Sequence, residues 1–187
     1  MTDKIRCGWC GNDPLYQHYH DYEWGKPILD DHQLFEYLIL DGFQAGLSWF
    51  TILKRREGFR AAFDNFDYKK IAKYDEDKIQ QLMMDERIIR NQLKIRASVI
   101  NAHAFMKVQD EFGSFSNYIW SFTNQKPVKN KPKTLKDIPA TSELSDKISK
   151  DLKKRGFKFV GSTIVYAFLQ AIGVVDDHLE ECWVNKK

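Results

Sequence analysis

The sequence predicts an all-α fold. Apolar residues recur at helical spacing along most of the chain. No run alternates convincingly between apolar and polar as a half-buried strand would, and glycines stand where the helical stripes stop. Leu34, Phe35, Leu38 and Ile39 share one helical face, with Gly42 after them as the predicted stop. Ile89, Leu93, Ala97, Ile100 and Ala104 repeat the spacing of three or four. Leu144, Ile148 and Leu152 do the same ahead of Gly156, and Ile164, Val165, Phe168, Leu169 and Ile172 ahead of Gly173. Residues 124–139 hold three prolines and five lysines and read as a loop joining two helical regions.

With 187 residues, 43% of them apolar, the chain can form one domain, residues 1–187, around a real core, with two small helical subdomains as the upper limit. Its longest apolar runs, such as Ile164 to Phe168, are too short to span a bilayer. Residues 1–6 are polar and carry no secretory signal, so no membrane partner and a cytoplasmic location are expected. Three cysteines, an odd number, argue against a disulfide framework and for metal binding or burial.

Charge is uneven. Residues 126–158 carry eleven Lys or Arg against four Asp or Glu, an excess of +7, whereas the remainder carries eighteen against twenty-two. Concentrated positive charge attracts a polyanion such as nucleic acid; a solvated helix face beside a basic linker is the other reading.

Metal-ligand residue types stand near both ends: Cys7, Cys10, His18 and His20 early, His178 and Cys182 late. Zinc takes thiolate and imidazole in a tetrahedral set, and a structural site uses four protein ligands. Six candidates therefore compete for four places. Cys7 with Cys10 has common zinc spacing, and His178 with Cys182, four apart, would project from one face of a helix. Aromatic residues crowd residues 7–25 and 41–49, where three of the five tryptophans lie, with Asp41 among them. Flat rings beside a carboxylate suit a stacked, hydrogen-bonded planar ligand, above all a cationic one. The same rings could equally be core.

Several longer stretches narrow the choice. Arg6-Cys7-Gly8-Trp9, Asp13-Pro14-Leu15-Tyr16, Tyr19-His20-Asp21 with Glu23-Trp24-Gly25, Gln44-Ala45-Gly46-Leu47-Ser48-Trp49, and residues 152–161 (Leu-Lys-Lys-Arg-Gly-Phe-Lys-Phe-Val-Gly) closely resemble the type I 3-methyladenine DNA glycosylases. The resemblance keeps the same order over nearly the whole chain. It implies a helix-hairpin-helix glycosylase fold and one structural zinc per chain. The implied ligands are Cys7, His20, His178 and Cys182, tying the N- and C-terminal segments together, with Cys10 and His18 outside the set. It also implies a DNA grip at the hairpin from Arg155 to Gly161. There Gly156 and Gly161 would shape the backbone for a phosphate, and Lys153, Lys154, Arg155 and Lys158 would add charge.

The base pocket carries over in the same way. Tyr19, Asp41 and Trp49 match the base-recognition positions, with Trp9 and Trp24 beside them. The chain departs from the family in having Asp41 where Glu is usual and Phe43 where a polar residue is usual; Phe43 is expected to fill the space left by the shorter acid. The implied activity is hydrolytic excision of 3-methyladenine from alkylated double-stranded DNA by a monomer, leaving an abasic site and free 3-methyladenine. No lysine nucleophile occurs in the motif, so no lyase step is expected. Val175-Asp176-Asp177-His178 has the Val-Asp-x-His form that places a catalytic aspartate in wider relatives. The type I family has Asn at the position of Asp176, which leaves it either a cap or surface acid or a sugar-stabilising group.

Overall fold

A computed structural model describes residues 4–186. Residues 1–3, part of the polar start noted above, and Lys187 lie outside the described residues. Most helices begin where a short polar side chain accepts from first-turn amides. Asp13, ahead of Pro14, starts α1 (Pro14–Tyr22); Asp30 starts α2 (Asp31–Gln44); Ser48 starts α3 (Trp49–Leu53). After α4 (Arg56–Ala62), Asp67 starts α5 (Tyr68–Ile71), Asp75 α6 (Glu76–Met84) and Asn91 α7 (Gln92–Phe112). Ser114 starts α8 (Phe115–Ser121) and Ser142 α9 (Glu143–Lys154), while α10 (Ser162–Ala171) begins at Gly161 without a side-chain cap.

Helix α2 is the axis of the molecule. Every residue from Leu34 to Phe43 is buried, and the helix packs against α10, α7, α8 and α3. Burial on all sides is what carries Asp41 into the interior. Gly42 is not a stop, contrary to expectation: α2 runs on to Gln44, and the chain turns at Gly46 with φ +80°. Gly42 instead permits a close approach, since a Cβ there would lie 3.6 Å from Cβ of Phe159.

The expected stripe on α7 is rotated. Leu93 and Ile100 are 71% and 44% exposed, while Ile95, Ala102, Phe105 and Val108 face the core together with Ala97 and Ala104. Polar residues on the buried face disguised it. Ser98 donates to the Lys94 carbonyl, and Asn101 reaches across to the backbone of Lys158. A strand pair also departs from the all-helical expectation: β1 (Val128–Lys129) and β2 (Val175–Asp176) run parallel, Val128 opposite Val175. Two residues are too few to leave an alternating pattern, and β1 lies inside the stretch read as loop. Among the described residues no helix is long and apolar enough to cross a membrane.

Candidate active site

Six segments surround one cavity of ≈ 210 Å³. Trp9 enters from the short 3₁₀ turn Gly8–Cys10, and Tyr16 and Tyr19 from one face of α1, with Trp24 just beyond it. Asp41 and Gln44, three apart on α2, form a second wall, and Trp49 opens α3. Ala167, Gln170 and Ala171 come from α10, and Ile138 completes the lining. The volume falls below the range of about 300–1,000 Å³ typical of drug-sized ligands, so it suits something nearer a single base.

The rings hold one another at angles. Trp9 lies 5.0 Å from Tyr16 and 4.9 Å from Trp24, centroid to centroid, and Tyr19 lies 5.4 Å from Trp49. Behind Trp49, Tyr37 stacks at 6.2 Å and donates its hydroxyl to Glu23, whose carboxylate is clamped by Arg56. Trp49 is thereby fixed from outside the cavity.

Unpaired polar atoms are concentrated at this cavity. Asp41 is 1% exposed, and burial pushes its carboxyl well above the usual carboxylate range. Four buried side-chain atoms among the described residues have no hydrogen-bond partner: Nε1 of Trp9, Oδ2 of Asp41, Oε1 of Gln44 and Nε1 of Trp49. All four residues line this cavity. An unpaired buried polar atom costs about 1–3 kcal/mol. Such atoms are rare in folded proteins, so four at one cavity mark a place where a ligand supplies the partners: two acceptors and two donors.

Tyr19, Asp41, Trp49, Trp9 and Trp24 all line this one cavity. Phe43 does not join them. Two residues beyond Asp41 on a helix is about 200° round the axis, and Phe43 packs on Phe59 (4.8 Å) and Phe63 (5.8 Å) in the core. The space beside the shorter acid is not filled by Phe43. Sequence reasoning missed Tyr16, Gln44, Ile138, Ala167, Gln170 and Ala171. Helical spacing from Tyr19 and Asp41 could have found the first two, whereas nothing local marks the residues of α10.

The metal candidates lie behind Trp9 and Trp24. Cys7, His20 and Cys182 are all buried, with ligand atoms within 4.8 Å of one another. Cys182 Sγ is 3.5 Å from Nε2 of His20. The Cys7 thiol is pushed up by its hydrogen bond to Cys182 and by burial, whereas Cys182 is held down by bonds from Cys7 and His20 against desolvation. His178 lies against this trio, not within it: its ring is 5.0 Å from that of His20, and its Nε2 is 3.4 Å from the His20 carbonyl. Asp21 and Asp176 hold Nδ1 of His20 and of His178, at 2.9 and 2.8 Å. That turns both Nε2 atoms away from the carboxylates: Nε2 of His20 meets Cys182 Sγ and the Cys7 N–H, and Nε2 of His178 meets the His20 carbonyl; a carboxylate behind Nδ1 is the usual arrangement around a metal-binding histidine. His178 and Cys182 are not on a helix; a turn between β2 and a final 3₁₀ segment carries them. Cys10 stands apart and directs its thiol to the Cys7 carbonyl. Asp176 also accepts from the backbone N–H of His178. Burial would raise its carboxyl, but the bonds from His178 leave it below the usual range.

Residues 155–161 form a turn between α9 and α10, which pack together. Gly156 adopts φ +94°, a conformation glycine enters without strain. The side-chain amide of Asn101 brackets Lys158 from both sides, donating to its carbonyl and accepting from its N–H. Ser149 Oγ donates to the Val160 carbonyl. Lys153, Lys154 and Lys158 are exposed. Arg155 is committed inward, paired with Glu111 and Asp151 and lying over the rings of Phe112 and Tyr118.

Known proteins match this arrangement along its length. Residues 9–186 match the family described as methyladenine glycosylase. The chain is 49% identical over 177 residues to DNA-3-methyladenine glycosylase 1 of Escherichia coli K12, covering 95% of each. Identity to the DNA-3-methyladenine glycosylase of Haemophilus influenzae is also 49%, over 95% of this chain and 96% of the other. A structure of 3-methyladenine DNA glycosylase I from Staphylococcus aureus, concerned with the recognition of 3-methyladenine, superposes with a TM-score of 0.94 at 38% identity, over 97% of each chain. With fold and sequence in agreement, the chain belongs to the methyladenine glycosylase family, hydrolases of N-glycosyl bonds.

Proposed function

We propose that this protein excises 3-methyladenine from alkylated duplex DNA by simple hydrolysis, without strand cleavage. The carrying observation is the set of four unpaired buried polar atoms at a cavity walled by aromatic rings. A methylated adenine offers an exocyclic amine to acceptors and ring nitrogens to donors. As the nucleoside it also carries positive charge, which favours the ionised form of Asp41.

The base must leave the helix to enter the cavity, an extrusion costing a few kcal/mol. Tyr19 and Trp49 hold the ring, and Asp41 accepts from its edge. The C1′–N9 bond then breaks with its electron pair moving to nitrogen, which neutralises the base. Water adds to the sugar cation at C1′ and gives up a proton. Because the base departs neutral, no strong general acid is required, and no lysine lines the cavity to form a covalent sugar adduct. Incubating the protein with methylated DNA should release 3-methyladenine, identified chromatographically, with intact strands. No released base would overturn the proposal, and strand breaks at neutral pH would overturn its monofunctional part.

Cys7, His20, Cys182 and, by a turn of its ring, His178 fit zinc by donor chemistry, with two carboxylates already behind the imidazoles. Bound zinc would be a structural crosslink, since four protein ligands leave no open position. The continuous core supports one domain acting as a monomer, and a DNA-repair role supports a cytoplasmic location.

The turn at 155–161 is read as the phosphate grip of a helix-hairpin-helix. Lys153, Lys154 and Lys158 are free to meet the backbone, whereas Arg155 anchors the turn. Replacing the three lysines by Ala should weaken duplex binding and lower the slope of log affinity against log salt by up to about 3, read by fluorescence anisotropy. A side chain at Gly161 meets no protein atom within 4 Å. Gly161→Val should therefore cost stability only through its poorer N-cap, about 1 kcal/mol, and still weaken binding, by blocking a phosphate approaching the first amides of α10. Unchanged affinity in both variants would place the DNA elsewhere.

A further inference from the structure

Gln170 enters the cavity from α10 beside Trp24; its backbone carbonyl accepts from the N–H of Gly25 at 3.0 Å. Its side chain is not free to choose an orientation. The amide nitrogen donates to Oδ2 of Asp177 at 2.7 Å. Asp177 is 1% exposed and takes two further bonds, from the Tyr166 hydroxyl at 2.6 Å and the Asn130 amide at 2.7 Å. A carboxylate holding those two donors presents oxygen to Gln170, so the nitrogen must face Asp177. What this fixes is which end of the amide turns from Asp177: Oε1 lies on the far side, and the nitrogen keeps one further hydrogen.

We infer that Gln170 is a specificity-determining residue that reads the 6-amino group of the methylated purine, and that Asp177 is the positioning residue holding its amide oxygen toward the base. The cavity then offers acceptors at Asp41, Gln44 and, in this orientation, Gln170, donors at Trp9 and Trp49, and the Tyr16 and Tyr19 hydroxyls, which can do either. A 6-aminopurine meets this set with N–H groups. A 6-oxopurine places a carbonyl oxygen where the amine would be, so two acceptors confront each other and both lose their partners on leaving water. Discrimination between 3-methyladenine and 3-methylguanine thus depends on an amide that could accept or donate, fixed as an acceptor by a buried acid with no other contact to the cavity. Asp177 does not line it.

The inference rests on the glycosylase reading above, and its test separates the two. Methylated DNA contains both 3-methylated purines, so one reaction with chromatographic detection yields both release rates. Gln170→Met keeps length and removes the acceptor. It should lower kcat/KM for 3-methyladenine at least fivefold while 3-methylguanine release holds or rises. Asp177→Asn should keep the network bonded yet let the Gln170 amide face either way, so the same ratio should fall with a smaller loss of total activity. Near-UV circular dichroism and thermal melts identify any variant that fails to fold, and Gln170→Asn, with its oxygen drawn back by one methylene, then replaces Gln170→Met. Release of neither base by the parent overturns the glycosylase reading and the inference with it. Release by the parent together with an unchanged ratio in folded Gln170 and Asp177 variants overturns the inference alone.

Discussion

Replacing Cys182 by Ala should strip zinc from the purified protein and lower its melting temperature by at least about 10 °C. A structural zinc contributes an apparent 10–16 kcal/mol or so in small peptides. This protein has a core of its own, so only part of that is at stake, but each kcal/mol moves Tm by about 2–4 °C at this size. Losing Cys182 would also leave the buried Cys7 and His20 facing one another without the group that completes them. Cys10→Ala is the contrasting variant: Cys10 is as buried, but its thiol points to a backbone carbonyl. It should keep its metal and melt within a few degrees of the parent. Metal analysis and melting curves on the same samples decide the matter. Full zinc content after loss of Cys182 would sink the assignment.

Asp41→Asn should do two opposite things, making the free protein more stable and the base complex weaker. The folded carboxyl holds its proton to higher pH than the unfolded one, which ionises near 3.8. Between those values the unfolded chain releases a proton that the folded chain retains, so stability falls as pH rises. Asn has no such proton. The variant's advantage should therefore be largest at neutral pH and should shrink as pH falls toward 4. In the complex the order reverses. A hydrogen bond to a charged group is worth about 1.5–3 kcal/mol, so Asp41→Asn should weaken binding by about tenfold to a hundredfold. Asp41→Glu should bind at least as tightly as the parent, because Phe43 leaves room for the added methylene. Calorimetric titration with 3-methyladenine and melts at several pH values test both halves. Equal affinity in a folded Asp41→Asn variant would place the base elsewhere.

The helices were legible because periodicity records burial, and it failed where burial was polar. Ser98 and Asn101 occupy the inner face of α7, so counting apolar residues selected Leu93 and Ile100 instead. Gly42 read as a stop because the approach of Phe159 is a tertiary fact. The pocket was legible only in its N-terminal half, where residues 7–25 and 41–49 contribute neighbouring side chains. Phe43 was misplaced by treating nearness in sequence as nearness in space. Asp177 stands at the unassigned place of Val175-Asp176-Asp177-His178 and Gln170 belongs to no motif; their bond appears only when α10 and the segment after β2 come together. Three of the four proposed ligands were brought together by residues some 160 positions apart, a pairing that no local pattern encodes.

That separation also orders events during synthesis. Trp183 N–H bonds to the carbonyl of Ile5, and Leu179 N–H to the sulfur of Cys7. The segment bearing Trp9 is thus anchored largely by residues made more than 170 positions after it. Contacts this remote in sequence are the slowest to close. A growing chain halted before residue 178 could fold α2 through α8 and still have a loose wall where Trp9 and Tyr16 belong. Competence to hold a base would then wait on residues 178–183, and a chain lacking them, though largely helical, would have no grip on the base.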